Sequence, residues 1–230
     1  MLLDANNRPH RKAKGDFRIV SLVPSITELL FDLGLKESVV GRTPFCVHPV
    51  NEVKNVPKVG GTKTVDIEKI MSVSPTHVIL NIDENKVELF NRLCRKGVEI
   101  IVTHPNRPED NLELFDLLGY VFSCEATGEN FSSALKEKLH LLTEKSTRLE
   151  MKKVLYLIWR DPWMTVSNST YISNMLKLIR WKTVPISTEP RYPELSVNEL
   201  AELKFDLCLL SSEPYPFRSK HIEEIKKIRD

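Results

Sequence analysis

Residues 154–176, VLYLIWRDPWMTVSNSTYISNML, decide how this chain reads. VLYLI is short, apolar and nearly continuous, the pattern of a strand covered on both faces. Pro162 ends it, since proline has no N–H for a ladder, and it is expected to hold Asp161 extended. Ser169 or Thr170 then stands where a cap belongs, before Tyr171, Ile172, Met175, Leu176 and Ile179 at helical spacing. Open α/β sheets bind ligands at such strand ends. Trp159, Arg160 and Trp163 occupy this one. Two indoles and a guanidinium suit a flat or anionic ligand through stacking, cation–π contact and paired hydrogen bonds. The competing reading is that both indoles close a core and Arg160 pairs with Asp161.

Residues 18–34, RIVSLVPSITELLFDLG, repeat the design. A strand over 19–23 breaks at Pro24-Ser25, and a helix follows with Ile26, Leu29, Leu30 and Leu33 on one face. Gly34 ends it at the C′ position. Ser25 with Glu28 three residues later fits a capping box.

The remainder alternates strand and helix, which argues for parallel strands with crossover helices. Asp66 and Ser196 are placed as helix caps. The spacing of Phe131, Leu135, Leu139, Leu142 and Leu149 predicts one long helix over 130–152. The expected fold class is therefore α/β: two Rossmann-like lobes with mostly parallel sheets, at 17–127 and 153–230, joined by a long helix within 128–152.

Among 230 residues, 33 basic side chains oppose 31 acidic ones for a net charge of +2. That balance gives no drive toward nucleic acid, which is excluded as a partner. Residues 1–16 read as a disordered basic tail. They contain no apolar leader, so the chain as written is expected in the cytoplasm. No G-x-S-x-G, Walker loop or G-x-G-x-x-G occurs, and the protein is not expected to be an enzyme. Cys46 and His48 share a loop and His104 follows another strand. These are candidate metal ligands, or, for either histidine, an axial contact to a metal already held in a macrocycle.

The ordered set RIVSLVPSITELLFDLG, VVGRTPFCVHP, VGGTK, HVILN, GVEIIVT, IWRDPWMTV with TYISNML, RYPELS and LLSSEPYPFRSKH covers about residues 18–220. Together these resemble the periplasmic-binding-protein family that delivers vitamin B12, haem and ferric siderophores to ABC importers, in its B12-like, helical backbone metal receptor subgroup. The resemblance implies a ligand held between lobes by strand-end loops, here Pro24, Phe45, Cys46, Lys63, Asn81, Trp159, Arg160, Trp163, Arg191 and Tyr192. It implies docking on a permease dimer through surface glutamates, at Glu84 or Glu88 and at Glu213. The expected ligand is cobalamin or another corrinoid, else haem or a ferric siderophore, taken up by a monomer without an intrinsic cofactor. Family members are exported, so a periplasmic or cell-surface location would require a signal missing from this chain. They also continue beyond the last helix, so the second lobe is expected to be truncated. The alternative class is a cytoplasmic enzyme or sensor that reuses the fold.

Overall fold

The computed structural model describes residues 1–61 and 65–229. They divide into two compact units. The first joins Met1–His104 to Asn111–Ala134, and the second joins Pro105–Asp110 to the chain from Leu135 onward.

The first unit opens with a small antiparallel ladder, β1 (Leu2–Leu3) on β2 (Pro9–His10). Four parallel strands follow: β3 (Ile19–Ser21), β4 (Val39–Arg42), β5 (His77–Asn81) and β6 (Glu99–Thr103), in the order β4-β3-β5-β6. The connections carry α1 (Pro24–Asp32), the one-turn α2 (Val50–Val53), α3 (Ile67–Ser72) and α4 (Val87–Cys94), and α5 (Asn111–Val121) comes after β6. Alternate side chains explain why these runs are apolar on both faces. Ile19, Ile79 and Ile101 pack with Leu30 of α1 and Leu118 of α5, whereas Val20, Val78, Ile100 and Val102 pack with Ile70 of α3 and Leu93 of α4.

Helix ends follow local chemistry. Gly34 sits at φ +82°, as a C′ glycine should. Asp66 caps α3, its carboxylate accepting from the N–H groups of Glu68 and Lys69 at 3.1 Å each. The expected box at Ser25 does not form. Pro24 is the first helical residue and Val23 the cap, because proline's fixed φ and missing N–H suit that position.

Residues 1–16 are ordered, contrary to the disordered tail expected from their charge. Asp4 is buried and accepts from the N–H groups of Asn6, Arg8 and Val102 at 2.9, 3.0 and 3.0 Å. His10, also buried, lies with Nε2 3.1 Å from Asp4 and Nδ1 3.0 Å from Glu99. Ala5 and Ala13 donate to the carbonyls of Val102 and Val121 at 2.9 and 2.8 Å. The segment is a strap along β6 and α5.

The long helix, α6, runs Glu125–Ser146, and the boundary between the units falls inside it. Its 22 residues span about 33 Å. It begins and ends earlier than 130–152; Lys152 already belongs to a strand. Phe131, Leu135, Leu139 and Leu142 are half-buried as the spacing predicts, and Leu149 is exposed beyond the helix end.

In the second unit β7 (Lys152–Trp159) is central. After it come β8 (Trp163–Thr165), α7 (Tyr171–Lys177), β9 (Trp181–Thr183), β10 (Glu194–Leu195), α8 (Val197–Glu202), β11 (Leu207–Leu210) and α9 (Ser219–Arg229). β11 lies parallel along one edge of β7, and β9 lies parallel on the other edge near its start. β8 folds back antiparallel at the end of β7 and carries β10 antiparallel beside it. The first sheet is thus wholly parallel and the second mixed. Thr170 and Ser196 cap α7 and α8, the latter in a full capping box with Glu199. No described helix is long and apolar enough to cross a membrane.

Candidate functional site

The first unit gathers its candidates at the C-terminal ends of its strands. The order β4-β3-β5-β6 reverses direction between β3 and β5, where open sheets place ligands. Pro24, three residues past β3, and Asn81, the last residue of β5, flank that switch point. The Asn81 side chain is committed locally: Oδ1 accepts from Asp83 N–H at 2.8 Å and Nδ2 reaches Thr103 Oγ1 at 3.4 Å.

The loop after β4 is held from inside. Buried Arg42 donates from Nε to Val53 O at 2.8 Å and from Nη1 to Cys46 O at 2.9 Å. Cys46 turns inward, 0% exposed, with its sulfur 3.1 Å from Thr27 Oγ1 and 3.2 Å from Thr43 Oγ1. Phe45 consequently points out, 60% exposed. So Cys46 packs the loop and is not a lining residue. Nor do Cys46, His48 and His104 form a three-ligand cluster: among the described residues no three histidine, cysteine or acidic side chains could hold a metal ion. His48 is exposed, and His104 Nε2 lies 3.5 Å from Asp83. Burial, helped by neighbouring Asp83, raises Glu84 to about 7. Glu88, in the first turn of α4, is exposed. Lys63 lies outside the described residues.

In the second unit the block after β7 separates into an outer and an inner part. Trp159 ends the strand 39% exposed, and its ring meets Tyr215 edge-on at 5.3 Å. Because β8 pairs back on β7, Trp163 enters the core instead, 2% exposed and stacked on Phe217 at 6.3 Å. Arg160 covers that indole and spends its donors on Glu224 and Asp161. The hydrogen bond with Glu224, more than any other cause, raises the Arg160 pKa and lowers that of Glu224. Trp163 therefore builds the interior and Arg160, half-buried, is tied to its neighbouring carboxylates, so of the three only Trp159 offers a face. Asp161 is not extended either; at φ +67° it occupies the left-handed region that aspartate tolerates better than most residues.

Tyr215, Phe217 and His221 went unnoticed in the sequence, although PYPFRSKH carries them together. His221 Nδ1 accepts from Arg218 N–H at 2.8 Å, so the neutral ring bears its hydrogen on Nε2 and donates it to the Tyr215 hydroxyl at 3.2 Å. This bond fixes the ring that backs Trp159. Arg191 donates to Ser169 O at 3.2 Å and to Asn106 Oδ1 at 3.0 Å, with Tyr192 beside it 36% exposed. Glu213 sits exposed in the loop after β11.

Solved structures share this fold. The periplasmic vitamin B12 binding protein BtuF of Vibrio cholerae superposes at a TM-score of 0.79 with 18% identity, over 90% of this chain and 78% of that one. The haem complex of S. aureus IsdE gives 0.78 at 20% identity, over 93% and 83%. In sequence, the uncharacterized ABC transporter substrate-binding lipoprotein YvrC of Bacillus subtilis is 30% identical over 186 residues, 78% of this chain and 59% of that protein. A vitamin B12-binding protein of Vibrio parahaemolyticus is 22% identical over 183 residues, 80% and 66%. The chain thus spans less than two thirds of the length of either curated relative. Strand-end aromatics on two α/β units, and a family profile that matches residues 19–229, agree: the chain belongs to the periplasmic binding protein family.

Proposed function

We propose that this protein is a substrate-binding protein that captures a metal chelate, cobalamin or another corrinoid first and haem or a ferric siderophore next, for an ABC importer. The observation that carries the reading is the indole face of Trp159, held at the end of β7 and backed by Tyr215. A flat ring system can bury itself there. Phe45 offers a second aromatic surface at the corresponding end of the first unit's sheet. Arg191 and Lys63 answer the carboxylates or phosphate of such a ligand, and Pro24, Asn81 and Tyr192 complete the lining. The names of the vitamin B12-binding relatives and haem-bound neighbours support this class of ligand.

The protein binds without catalysing and without a cofactor of its own; the metal is cargo. An axial contact is assigned to exposed His48 rather than to His104, which is held near Asp83. On the first unit Glu88 suits permease docking better than Glu84, because a docking carboxylate must be charged and exposed, and burial raises the Glu84 pKa to about 7. Glu213 serves on the second. The protein acts as a monomer, and a place in the periplasm or at the cell surface fits the names of the relatives given above.

Tryptophan fluorescence of the protein titrated with cyanocobalamin, haemin and a ferric siderophore tests this. Saturable quenching by one of them, corrected for its absorbance and weakened about tenfold or more in Trp159→Ala, is expected. Absence of a saturable response to all three would overturn the reading.

A further inference from the structure

The second unit has a pocket far from Trp159 along the strand direction. Met151, Lys153, Lys182, Ile186, Lys204, Phe205 and Asp206 line a volume of about 510 Å³. β7 and β9 start here and β11 is about to start, whereas Trp159 stands where β7 ends. Lys153 and Lys182 are direct register partners on parallel strands. Their faces continue those of Leu155, Leu157 and Val184, which lie in the core. So where the sheet passes its apolar cover, the same face carries two exposed lysines side by side. Like charges placed side by side repel.

Lys204, also exposed, lines the same pocket. Among the described residues none of the three lysines forms an ion pair; the lysines that do are Lys12, Lys36, Lys69 and Lys226. Asp206 turns a carboxylate oxygen to the N–H of Lys153 at 2.7 Å. Three cations against one anion leave the pocket with two positive charges. Beside them Met151 is 51% and Ile186 79% exposed.

We propose that this pocket binds a phosphate monoester that carries an apolar group. Such an ester bears roughly 1.5 to 2 negative charges near neutral pH, matching the pocket's excess, and lysines act on phosphate as point charges. The apolar group covers Met151, Ile186 and Phe205. A soluble ester and phosphatidic acid present the same chemistry.

Phenyl phosphate titrated calorimetrically into the whole protein at low salt tests the site, with inorganic phosphate as the second probe and pelleting with phosphatidic acid vesicles as the third. Saturable 1:1 binding of phenyl phosphate, or pelleting with phosphatidic acid but not phosphatidylcholine vesicles, is expected; whichever occurs identifies the source. Lys153→Gln/Lys182→Gln should weaken it about tenfold or more while leaving chelate quenching of Trp159 intact. Without ligand this variant should melt no lower than the parent, since it relieves a repulsion. Binding of neither phosphomonoester, or binding unchanged in the double variant, would overturn the site. Inorganic phosphate binding as tightly as phenyl phosphate would overturn the apolar half of the assignment.

Discussion

The Arg160 guanidinium carbon lies 4.5 Å from the centre of the Trp163 ring, a cation resting on an indole that is itself 2% exposed. Stacking in this unit is therefore internal at Trp163 and external at Trp159. Trp163→Ala should cost about 3–5 kcal/mol by emptying the core, and Arg160→Met roughly 1–2 kcal/mol, both read from urea midpoints. Trp159→Ala should leave the midpoint within ~1 kcal/mol while abolishing most chelate quenching. If Arg160→Met instead weakened chelate binding with stability unchanged, the division drawn here would be wrong.

Asp4 links the strap to β6. Burial pushes its pKa up, but donors from His10 and from the backbone of Arg8, Val102 and Asn6 outweigh that and hold it below 3.8. An acid lowered in this way stabilises the folded chain above its unfolded value, and the gain is lost as pH falls from about 3.8 through the folded value. Asp4→Asn should lose about 2 kcal/mol at pH 7, and its deficit against the parent should shrink below pH ~4. Parallel urea titrations at both pH values would show it.

Glu84 has the opposite sign. Its value rises from 4.5 to about 7, through burial first and Asp83 second. Its stabilising effect is full below 4.5 and declines as pH rises to about 7, because the unfolded chain releases this proton first. Glu84→Gln should flatten the fall in stability across that window, by at most about 3 kcal/mol. Carboxyl carbon NMR should place the transition near neutrality; one near 4.5 would refute the burial argument.

At Gly128, a Cβ would sit 2.9 Å from the carbonyl oxygen of Phe115. Alanine gains about 1 kcal/mol of helix propensity at such a position. The obstacle is backbone, so α5 must move, at a cost of roughly 1–3 kcal/mol. Gly128→Ala should on balance destabilise the protein, measurable as a lower melting temperature.

Much of this was legible in the residues. The parallel strands of the first unit are written as continuous Ile/Val runs, and Gly34, Asp66, Thr170 and Ser196 announce their helix ends. The strap was not legible, because Asp4 and His10 are buried by partners 89 to 98 positions away, Glu99 and Val102. Strands of two or three residues, as in β8 and β10, leave no periodic signal, and without β8 nothing shows that Trp163 turns inward. At the site, residue type found the aromatics and strand ends. Which side chains face out depended on Arg42 under the Cys46 loop and Glu224 beside Arg160, contacts that spacing does not encode.

The strap also bears on self-association. β6 is the last strand of its sheet, and the two ladder groups of Val102 that face away from β5 are taken by Asp4 and Ala5. An open strand edge recruits other chains. A protease cut that frees residues 1–14 would uncover this one, so nicked protein should aggregate by edge pairing while its core stays folded.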